Sequence, residues 1–583
     1  MTISMKKISL YIMSALVCLG MSSCVSILDQ APLDSFTDDA VWSDLALSET
    51  YLNKVYNTVR GQLSTNTLWD NFSEETFHKH GYGTNNTTHC LMSPDAAYMC
   101  YYEENWKSAT QTNNWGYYYG FINTINIFLS KIDDVPGDEV ERNYQKGQAL
   151  FLRGWYYHLL YTLFGRVVIV DHPYGLDSEF NASRADMDDV ADFICKDLDD
   201  AAALLPLKYA NQSDLGRATK GAALALKSRV LLLKASPLFG TPSEAKWKAA
   251  SDAAKAVIDL GVYQLELIAP EGTVMTSQEE RDAYIEKYAA LFYSANSPEA
   301  IWMKVYNTNY PDPWSDTNST PMGQCHRAPC GPGNGFEGWG TFDPTQNLVS
   351  KIQNYDGTAQ TGEFVNNPWE NLELRYWANI VGDGATWGYG DDKREVETFI
   401  AGEDGVVPGL DSSQGEYWWN ASNTGYAMRK SYSPDFDYYG TTQWDAPWMF
   451  IRLAEIYLNY AECQYNLGND AEALKYVNYI RHRALLPDAT GDVWDAIEYE
   501  REVEMMFEGT RWTDMRRWKR MDEEYRNPVL GCEVTKFADG HKEYKMDVVV
   551  DQREWKGDKY YWLPLPRAEY NKAPEYLDLL PYE

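Results

Sequence analysis

The stretch REVEMMFEGTRWTDMRRW, residues 501–518, gathers four arginines and two tryptophans into one short segment of an acidic chain. At helical spacing Glu504 and Glu508 lie on one face, and Arg501 and Arg511 are each three residues from one of them, which predicts local ion pairs. An acid–base pair made by the two glutamates needs a cleft and a separation that a helix does not supply. We therefore interpret the stretch as scaffold, with its large aromatic side chains as packing residues: Phe507, Trp512 and Trp518.

The composition of the 583-residue chain narrows its possible roles. Lysine and arginine number 51 against 85 aspartates and glutamates, a formal charge of −34, so the surface repels nucleic-acid backbones and anionic lipid headgroups. The hydrophobic fraction of 44% is that of a folded chain. After the N-terminal region no apolar run is long enough to cross a bilayer, which argues against an integral membrane body.

The N-terminus has the pattern of an export signal. In MTISMKKISLYIMSALVCLGMSSC two lysines precede an apolar run from Ile8 to about Met21, and small residues come before Cys24. The run is too short to span a membrane, so residues 1–23 are predicted to be a signal peptide. A cysteine at this position is the usual point of lipid attachment, which makes Cys24 the predicted acylated first residue. The alternative is an ordinary secretory signal peptide that is cleaved nearby, in which case Cys24 carries no lipid.

Helical periodicity dominates both ends of the chain. Residues 453–484 repeat apolar side chains at i, i+3, i+4 and i+7, break at Gly468 and Asn469, and then resume the pattern. This predicts a helix–turn–helix pair, and residues 216–240 with 243–261, and 143–165 with 186–206, predict two more. The predicted fold is mostly α, with tetratricopeptide-like helix pairs forming a scaffold.

The middle of the chain differs from both ends in composition and in periodicity. From about residue 266 to 440 helical periodicity fades, and Gly, Pro and Asn favour turns, as in TPMGQCHRAPCGPGNGFEGWG at residues 320–340. Long irregular segments inside a folded domain are usually functional. This predicted insertion is rich in tryptophan: Trp302, Trp314, Trp339, Trp369, Trp377, Trp387, Trp418 and Trp419. A second aromatic and polar stretch runs from Leu68 to Trp115.

Segments spread along the whole chain resemble the SusD/RagB family, the surface glycan-binding lipoproteins of Bacteroidetes. The resemblance rests on the 501–518 signature and on CVSILDQAP (24–32), NWGYYYGFINTINIFL (114–129), GRATKGAALALKSRVLL (216–232) and LPLPRAEYNKAP (563–574), the family's closing strand and turn. It implies one globular unit formed by an N-terminal helical part (24–265), a ligand-binding insertion (266–440) and a C-terminal helical part (441–583).

The same resemblance implies a function and a location. The protein is expected to capture a glycan at the cell surface without catalysis and to deliver it to a TonB-dependent, SusC-like outer-membrane transporter. The lipid on Cys24 would anchor it to the outer membrane, facing the exterior. No nucleic acid partner is expected.

Aromatic loops supply the candidate binding residues. Sugar rings present C–H faces that lie against aromatic side chains, and hydroxyls that need fixed polar partners. Stretches such as WDNFSEETFHKHGYG (69–83) and YYEENW (101–106) combine both kinds of side chain. The residues predicted to bind glycan are Trp69, Tyr82, Tyr101, Trp106, Trp314 and Trp339. For any single tryptophan, burial in the core is the competing interpretation.

Two other functions fit the same composition. A glycoside hydrolase on a helical scaffold would also have aromatic loops and many carboxylates, and a peptide-binding or transporter-lid protein would need no sugar at all. The sequence contains no HExxH, phosphate-binding loop or Gly-x-Ser-x-Gly motif, so no catalytic residue is predicted.

No cofactor and no metal site are predicted, with a structural cation left open. Three histidines of the 69–89 region are interpreted as residues of a polar loop and not as metal ligands: His78, His80 and His89. Few cysteines follow Cys24, so a disulfide framework is excluded. Bridges between Cys325 and Cys330 or between Cys90 and Cys100 stay open, as do free thiols.

Overall fold

The computed structural model describes residues 38–59, 61–62, 68–79, 84–99, 114–175, 181–270, 272–305, 342–362, 367–388, 390–432 and 446–583. The predicted signal peptide, Cys24 and the pair Cys325 and Cys330 lie outside these residues.

Helices account for most of the regular structure. In chain order they are α1 (Asp38–Val41), α2 (Leu45–Thr58), α3 (Asn85–Thr88), α4 (Asn114–Lys131), α5 (Glu139–Phe164), α6 (Met187–Leu204), α7 (Lys220–Ala235), α8 (Glu244–Ile258), α9 (Gln278–Ala290), α10 (Gln346–Lys351), α11 (Leu374–Asn379), α12 (Leu453–Asn466), α13 (Asp470–Arg483), α14 (Val493–Met505), α15 (Arg511–Arg517), α16 (Met521–Arg526) and α17 (Arg567–Tyr570).

The three predicted helix pairs are confirmed as α5 with α6, α7 with α8, and α12 with α13. They form one stack, because α6 also packs against α7, and α8 packs against α12. Local sequence sets their ends: the side chain of Asp138 accepts a hydrogen bond from the Glu141 N–H at 3.0 Å at the start of α5. Gly468, with φ 78°, makes the turn between α12 and α13. The fold is mostly α, as predicted.

Most strands of the described residues are short, and the longest two have eight and ten residues. They are β1 (Thr76–His78), β2 (Ala300–Lys304), β3 (Phe342–Pro344), β4 (Ile380–Val381), β5 (Thr386–Trp387), β6 (Arg394–Glu395), β7 (Ile400–Ala401), β8 (Ala427–Met428), β9 (Trp448–Arg452), β10 (Val529–Lys536) and β11 (Lys542–Asp551). Strand β2 pairs antiparallel with β9, which leads directly into α12. Strands β10 and β11 form a hairpin, and β7 joins β10 in parallel.

The largest hydrophobic cluster draws on both ends of the chain, from Leu52 of α2 to Leu579. A second cluster, which includes Phe342, Trp369 and Tyr426, packs the 342–432 region against Phe507 of the signature. Burial of this much apolar surface is the main favourable contribution to folding. The middle of the chain is therefore packed onto the signature segment.

Two sequence expectations need correction here. Residues 278–290 form α9, because Ile285, Tyr288 and Ala289 make a short apolar face at i, i+3 and i+4 that a polar sequence obscures. In the closing segment the predicted strand is absent: the described residues 563–566 have no regular structure, and Arg567 begins the short helix α17.

Phe507 and Trp512 of residues 501–518 are buried packing residues, as predicted, but the predicted local pairing is wrong. Arg501 Nε donates to Asp514 at 2.8 Å, and Arg511 Nε donates to Glu74 at 2.8 Å. All four of these side chains are buried. For Arg511 the reason is a turn at residues 506–510, where Phe507 has φ 62°: α14 and α15 do not continue one helix, so the expected i, i+3 spacing to Glu508 does not apply. Arg501 and Glu504 both lie on α14 and keep that spacing, but each pairs with a side chain of another element, Asp514 and Arg452 respectively.

Glu504 instead lies at the centre of a buried charge network. Its carboxylate accepts hydrogen bonds from Arg452 Nη1 at 2.6 Å and from Arg375 Nη1 at 3.2 Å, and it also pairs with Arg483. Burial alone would raise the pKa of Glu504, but the surrounding arginines outweigh that effect and hold the pKa well below its ordinary value. The network joins α11, α13, α14 and strand β9.

Buried carboxyls beside the network give an expected pH dependence. Burial raises the pKa of Asp70 to about 7, and burial together with neighbouring carboxyls raises that of Glu75 well above its ordinary value. Both groups bind a proton more tightly in the folded chain, so their contribution to stability is full below about pH 4 and is lost as the pH rises through the folded pKa. We expect a higher melting temperature at pH 5.5 than at pH 8.

The Asp70→Asn variant isolates this effect from general charge repulsion. An asparagine can still accept the hydrogen bond that the Gly509 N–H donates to Asp70 at 2.8 Å, but it does not titrate. The difference between the two melting temperatures should therefore shrink in this variant. An unchanged difference would contradict the assignment to Asp70.

Candidate functional site

An aromatic cleft opens between α2, the N-terminal half of α4 and the middle of α5. It has a volume of about 160 Å³, and the large aromatic side chains that line it are Trp69, Tyr117, Tyr118, Phe121, Trp155, Tyr156, Trp448 and Phe450. Trp69 and the three aromatic residues of α4 are half-buried, so part of each ring stays accessible. We call this group of residues the aromatic cleft.

The rings of the cleft are held in place from behind. Trp69 packs edge-on against Trp512 of the signature, with ring centroids 5.6 Å apart. On the other side, Tyr156 of α5 contacts Tyr118 at 5.7 Å and Phe121 at 5.0 Å. Edge-to-face and tilted contacts of this kind fix ring orientation. The cleft is therefore a preformed surface rather than a set of loosely placed side chains.

Charged residues line the floor of the cleft and are paired with one another. Arg229 Nε donates to Glu455 at 2.8 Å, and Asp514 accepts from Arg501 at 2.8 Å. Burial would raise the pKa of Asp514, but Arg501 and Arg517 outweigh it and leave the pKa below its ordinary value. These pairs hold the charged lining residues in fixed positions.

The chemistry of the cleft suits binding better than acid–base catalysis. A glycosidase needs a carboxylic acid that stays protonated near neutral pH. Glu508, which also lines the cleft, has a pKa below its ordinary value, because Arg452 and Lys430 outweigh the effect of its burial. His158 is kept neutral, since burial and then Arg229 lower its pKa well below the usual range.

Two family models match the chain over most of its length. The SusD family model matches residues 298–579, and a model described as starch-binding associating with outer membrane matches residues 31–232. The chain belongs to the SusD family. No curated protein sequence matches this SusD-family chain.

Solved structures of SusD-like proteins share the fold. A SusD-like protein from Bacteroides fragilis is 26% identical with a TM-score of 0.75, and the match covers 95% of this chain and 100% of that one. A SusD-like carbohydrate binding protein from the same species is 21% identical, with a TM-score of 0.70 and coverage of 92% and 99%. A surface glycan-binding protein A from Bacteroides fluxus is 18% identical, with a TM-score of 0.60 and coverage of 92% and 97%.

Of the residues predicted to bind glycan, Trp69 is the one within the described part of this SusD-family chain, and it lines the aromatic cleft. The others lie outside it: Tyr82, Tyr101, Trp106, Trp314 and Trp339. In the sequence, Met99 and Tyr117 of the cleft flank the stretch that contains Tyr101 and Trp106. Whether these residues bind a ligand stays a prediction.

The tryptophans of the 266–440 region are divided between core and surface. Trp302, Trp369 and Trp387 are buried, each at most 3% exposed. Trp418 and Trp419 are 57% and 60% exposed. Tryptophan content alone therefore does not identify a binding site, because half of the tryptophans that the structure describes in this region are buried in the core.

The remaining sequence expectations concern histidines and cysteines. His78 packs against Phe342, and His89 lies 3.4 Å from a carboxylate oxygen of Asp551, so these two side chains have different neighbours. His80 lies outside the described residues. Cys90 is a free buried thiol, as are the other described cysteines, so the suggested bridge to Cys100 is not formed. Throughout the described ranges no three His, Cys, Asp or Glu side chains are grouped to hold a metal ion.

Sequence reasoning missed most of the cleft. Tyr117, Tyr118 and Phe121 belong to the stretch 114–129, which carries the family resemblance, and Trp155 and Tyr156 belong to the predicted helix at 143–165. The signal was present as a dense run of aromatic residues on a helix, but periodicity could not separate the rings of a cleft from those of a core. In the part of the chain that the structure describes, no helix has the length and apolar character of a membrane span.

Proposed function

We propose that this protein captures glycans at the outer surface of the cell, without catalysis, and passes them to a TonB-dependent transporter of the SusC type. The observation that carries the proposal is the aromatic cleft, whose lining combines half-buried aromatic rings with polar groups that are fixed in ion pairs. That combination matches a sugar, whose ring stacks on aromatic faces and whose hydroxyls take the polar contacts.

Several findings support this function. Relatives of similar fold are described as carbohydrate binding and as surface glycan-binding proteins. The carboxylates of the cleft floor with a resolved pKa shift, Glu508 and Asp514, are held ionised by arginine or lysine, which disfavours a glycosidase. The family description that includes outer-membrane association supports the location, and acylation at Cys24 would supply the anchor. The helix stack offers a broad surface for a transporter partner.

The first test is titration calorimetry of the chain that starts after Cys24 against a panel of plant, host and microbial polysaccharides. Each mixture is then assayed for released reducing sugar. Binding without release is the expected result. Release of sugar would identify a hydrolase, and binding of peptides but of no polysaccharide would favour the interaction-protein alternative.

The Trp69→Ala variant tests the cleft itself. We expect its affinity for the glycan to fall about tenfold or more, since the loss of one well-placed aromatic contact is typically worth ~1.4 kcal/mol or more. Trp494→Ala is the matched control: Trp494 is also half-buried and packs edge-on against another tryptophan, Trp518, at 5.2 Å, but it does not line the cleft. Equal losses in both variants would argue against the cleft as the site.

A further inference from the structure

A second cavity, distinct from the aromatic cleft, lies where the end of α5 and the start of α6 meet the C-terminal segment. It has a volume of about 360 Å³, within the range of small-molecule sites. Its wall combines rings, four cations and one carboxylate, and the residues that matter here are Arg166, Arg184, Lys519, Lys559, Asp558, Tyr561 and Trp562. We call this the basic pocket. Four cationic side chains around one cavity are unexpected in a chain with a formal charge of −34.

The carboxylates near these cations compensate them only loosely. Asp578 lies 3.7 Å from Arg166 and 3.5 Å from Arg184, and Asp558 lies 3.3 Å from Lys519. Asp186 also approaches Arg166, at 3.8 Å. Within the described residues no carboxylate lies within ion-pair distance of Lys559, whose ammonium group sits over the rings of Tyr560 and Tyr582.

Arg184 is the most buried of the four cations that line the pocket. It is 8% exposed, and its Nη1 donates to the backbone carbonyls of Asp578 and Leu580 at 3.3 and 3.2 Å. Its Nε is buried and has no hydrogen-bond partner within the described structure. Burial lowers the pKa of Arg184, which shows that its neighbours do not fully offset the desolvation of its charge. A buried donor left unpaired costs free energy.

A fifth cation stands behind the wall of the pocket. Arg516 is 1% exposed, donates to the carbonyl of Tyr561 at 2.8 Å, and lies 5.7 Å from the ring of Trp562. Among the described residues it has no carboxylate partner. Its charge is therefore carried inside the protein next to the cavity, where it is screened much less than on the surface.

We propose that the basic pocket binds the anionic group of an acidic saccharide, such as the carboxylate of a uronic acid. The guanidinium of Arg184 and the ammonium of Lys559 would receive the anion, and Trp562 and Tyr561 offer aromatic surface to the ring that carries it. The preference for an anion rests on the pocket alone. The choice of a saccharide rests on the proposed function.

The test titrates the soluble chain with three probes at millimolar concentration: glucuronate, glucose and inorganic sulfate. We expect saturable binding of glucuronate and none of glucose. Arg184→Gln should weaken glucuronate binding about tenfold or more, because it removes charge-assisted hydrogen bonds. Lys559→Gln, at a more exposed position, gives the same test if the first variant does not fold. Lys248→Gln is the control, since that lysine lies on the exposed face of α8 with 65% of its side chain exposed.

The outcomes separate the pocket from the cleft. Glucuronate binding that survives Trp69→Ala but weakens in Arg184→Gln or Lys559→Gln supports the proposal, whatever the aromatic cleft binds. Binding of sulfate without glucuronate would overturn the assignment to a saccharide. No saturable binding of either anion, or binding unchanged in both pocket variants, would overturn the site.

Discussion

Glu504→Gln is expected to lower the free energy of unfolding by about 3–5 kcal/mol, the usual cost of removing one member of a buried ion pair. Glu504 is fully buried and its carboxylate is shared by three arginines, Arg375, Arg452 and Arg483. Glutamine keeps the shape and one acceptor oxygen but leaves three buried guanidinium groups with one negative charge fewer. Urea unfolding followed by circular dichroism measures the change.

The control for this prediction is an ion pair that water already solvates. Asp252 pairs with Lys248 on α8 at i, i+4, and both side chains are 65% exposed. Because such surface pairs contribute little, Asp252→Asn should change the free energy of unfolding by less than about 0.5 kcal/mol. If Glu504→Gln cost no more than this control, the buried network would not be holding the fold together.

Trp512→Ala is expected to cost about 3–5 kcal/mol of stability, as large-to-small changes of buried aromatic residues do. Trp512 is 2% exposed, packs against Phe72 and Trp69, and has the guanidinium of Arg516 over its ring at 4.3 Å. Its removal leaves a cavity directly behind the aromatic cleft. We therefore expect weaker glycan binding as well, at a temperature where the variant is still folded.

A surface tryptophan provides the comparison. Trp418 is 57% exposed and packs on Trp419, so Trp418→Ala removes the same side chain without opening a core cavity, and the cost should stay below about 1 kcal/mol. Thermal unfolding of the two variants side by side measures the difference. Similar melting temperatures for Trp512→Ala and Trp418→Ala would contradict the conclusion that Trp512 stabilises the fold behind the aromatic cleft.

Much of the fold was predictable because its signals are local. The helix pairs repeat their apolar residues at helical spacing over more than ten residues, and residues such as Asp138 and Gly468 mark their ends. The short helix α9 was missed, since its apolar face has only three buried residues in a polar sequence. A helical pattern of apolar residues must extend over several turns before it can be distinguished from a chance arrangement.

The candidate sites were much less predictable. Trp69 was selected for its loop-like, polar surroundings, which the sequence does show, but Tyr118 and Tyr156 come together only because α4 packs against α5. The basic pocket had no sequence signal at all, since Arg184 is more than 300 residues away from Lys519 and Lys559 along the chain.

The sequence by itself determined the class of the protein: helix pairs, an acidic surface, a signature rich in charge and the membership of a family. Only the tertiary structure decided which charges pair. Arg511 lies three residues from Glu508 in the sequence, yet its partner is Glu74, because the turn at 506–510 redirects the chain and burial demands the nearest carboxylate in space. Inside a protein a charge must be compensated by whatever packs against it, and packing is a property of the whole chain.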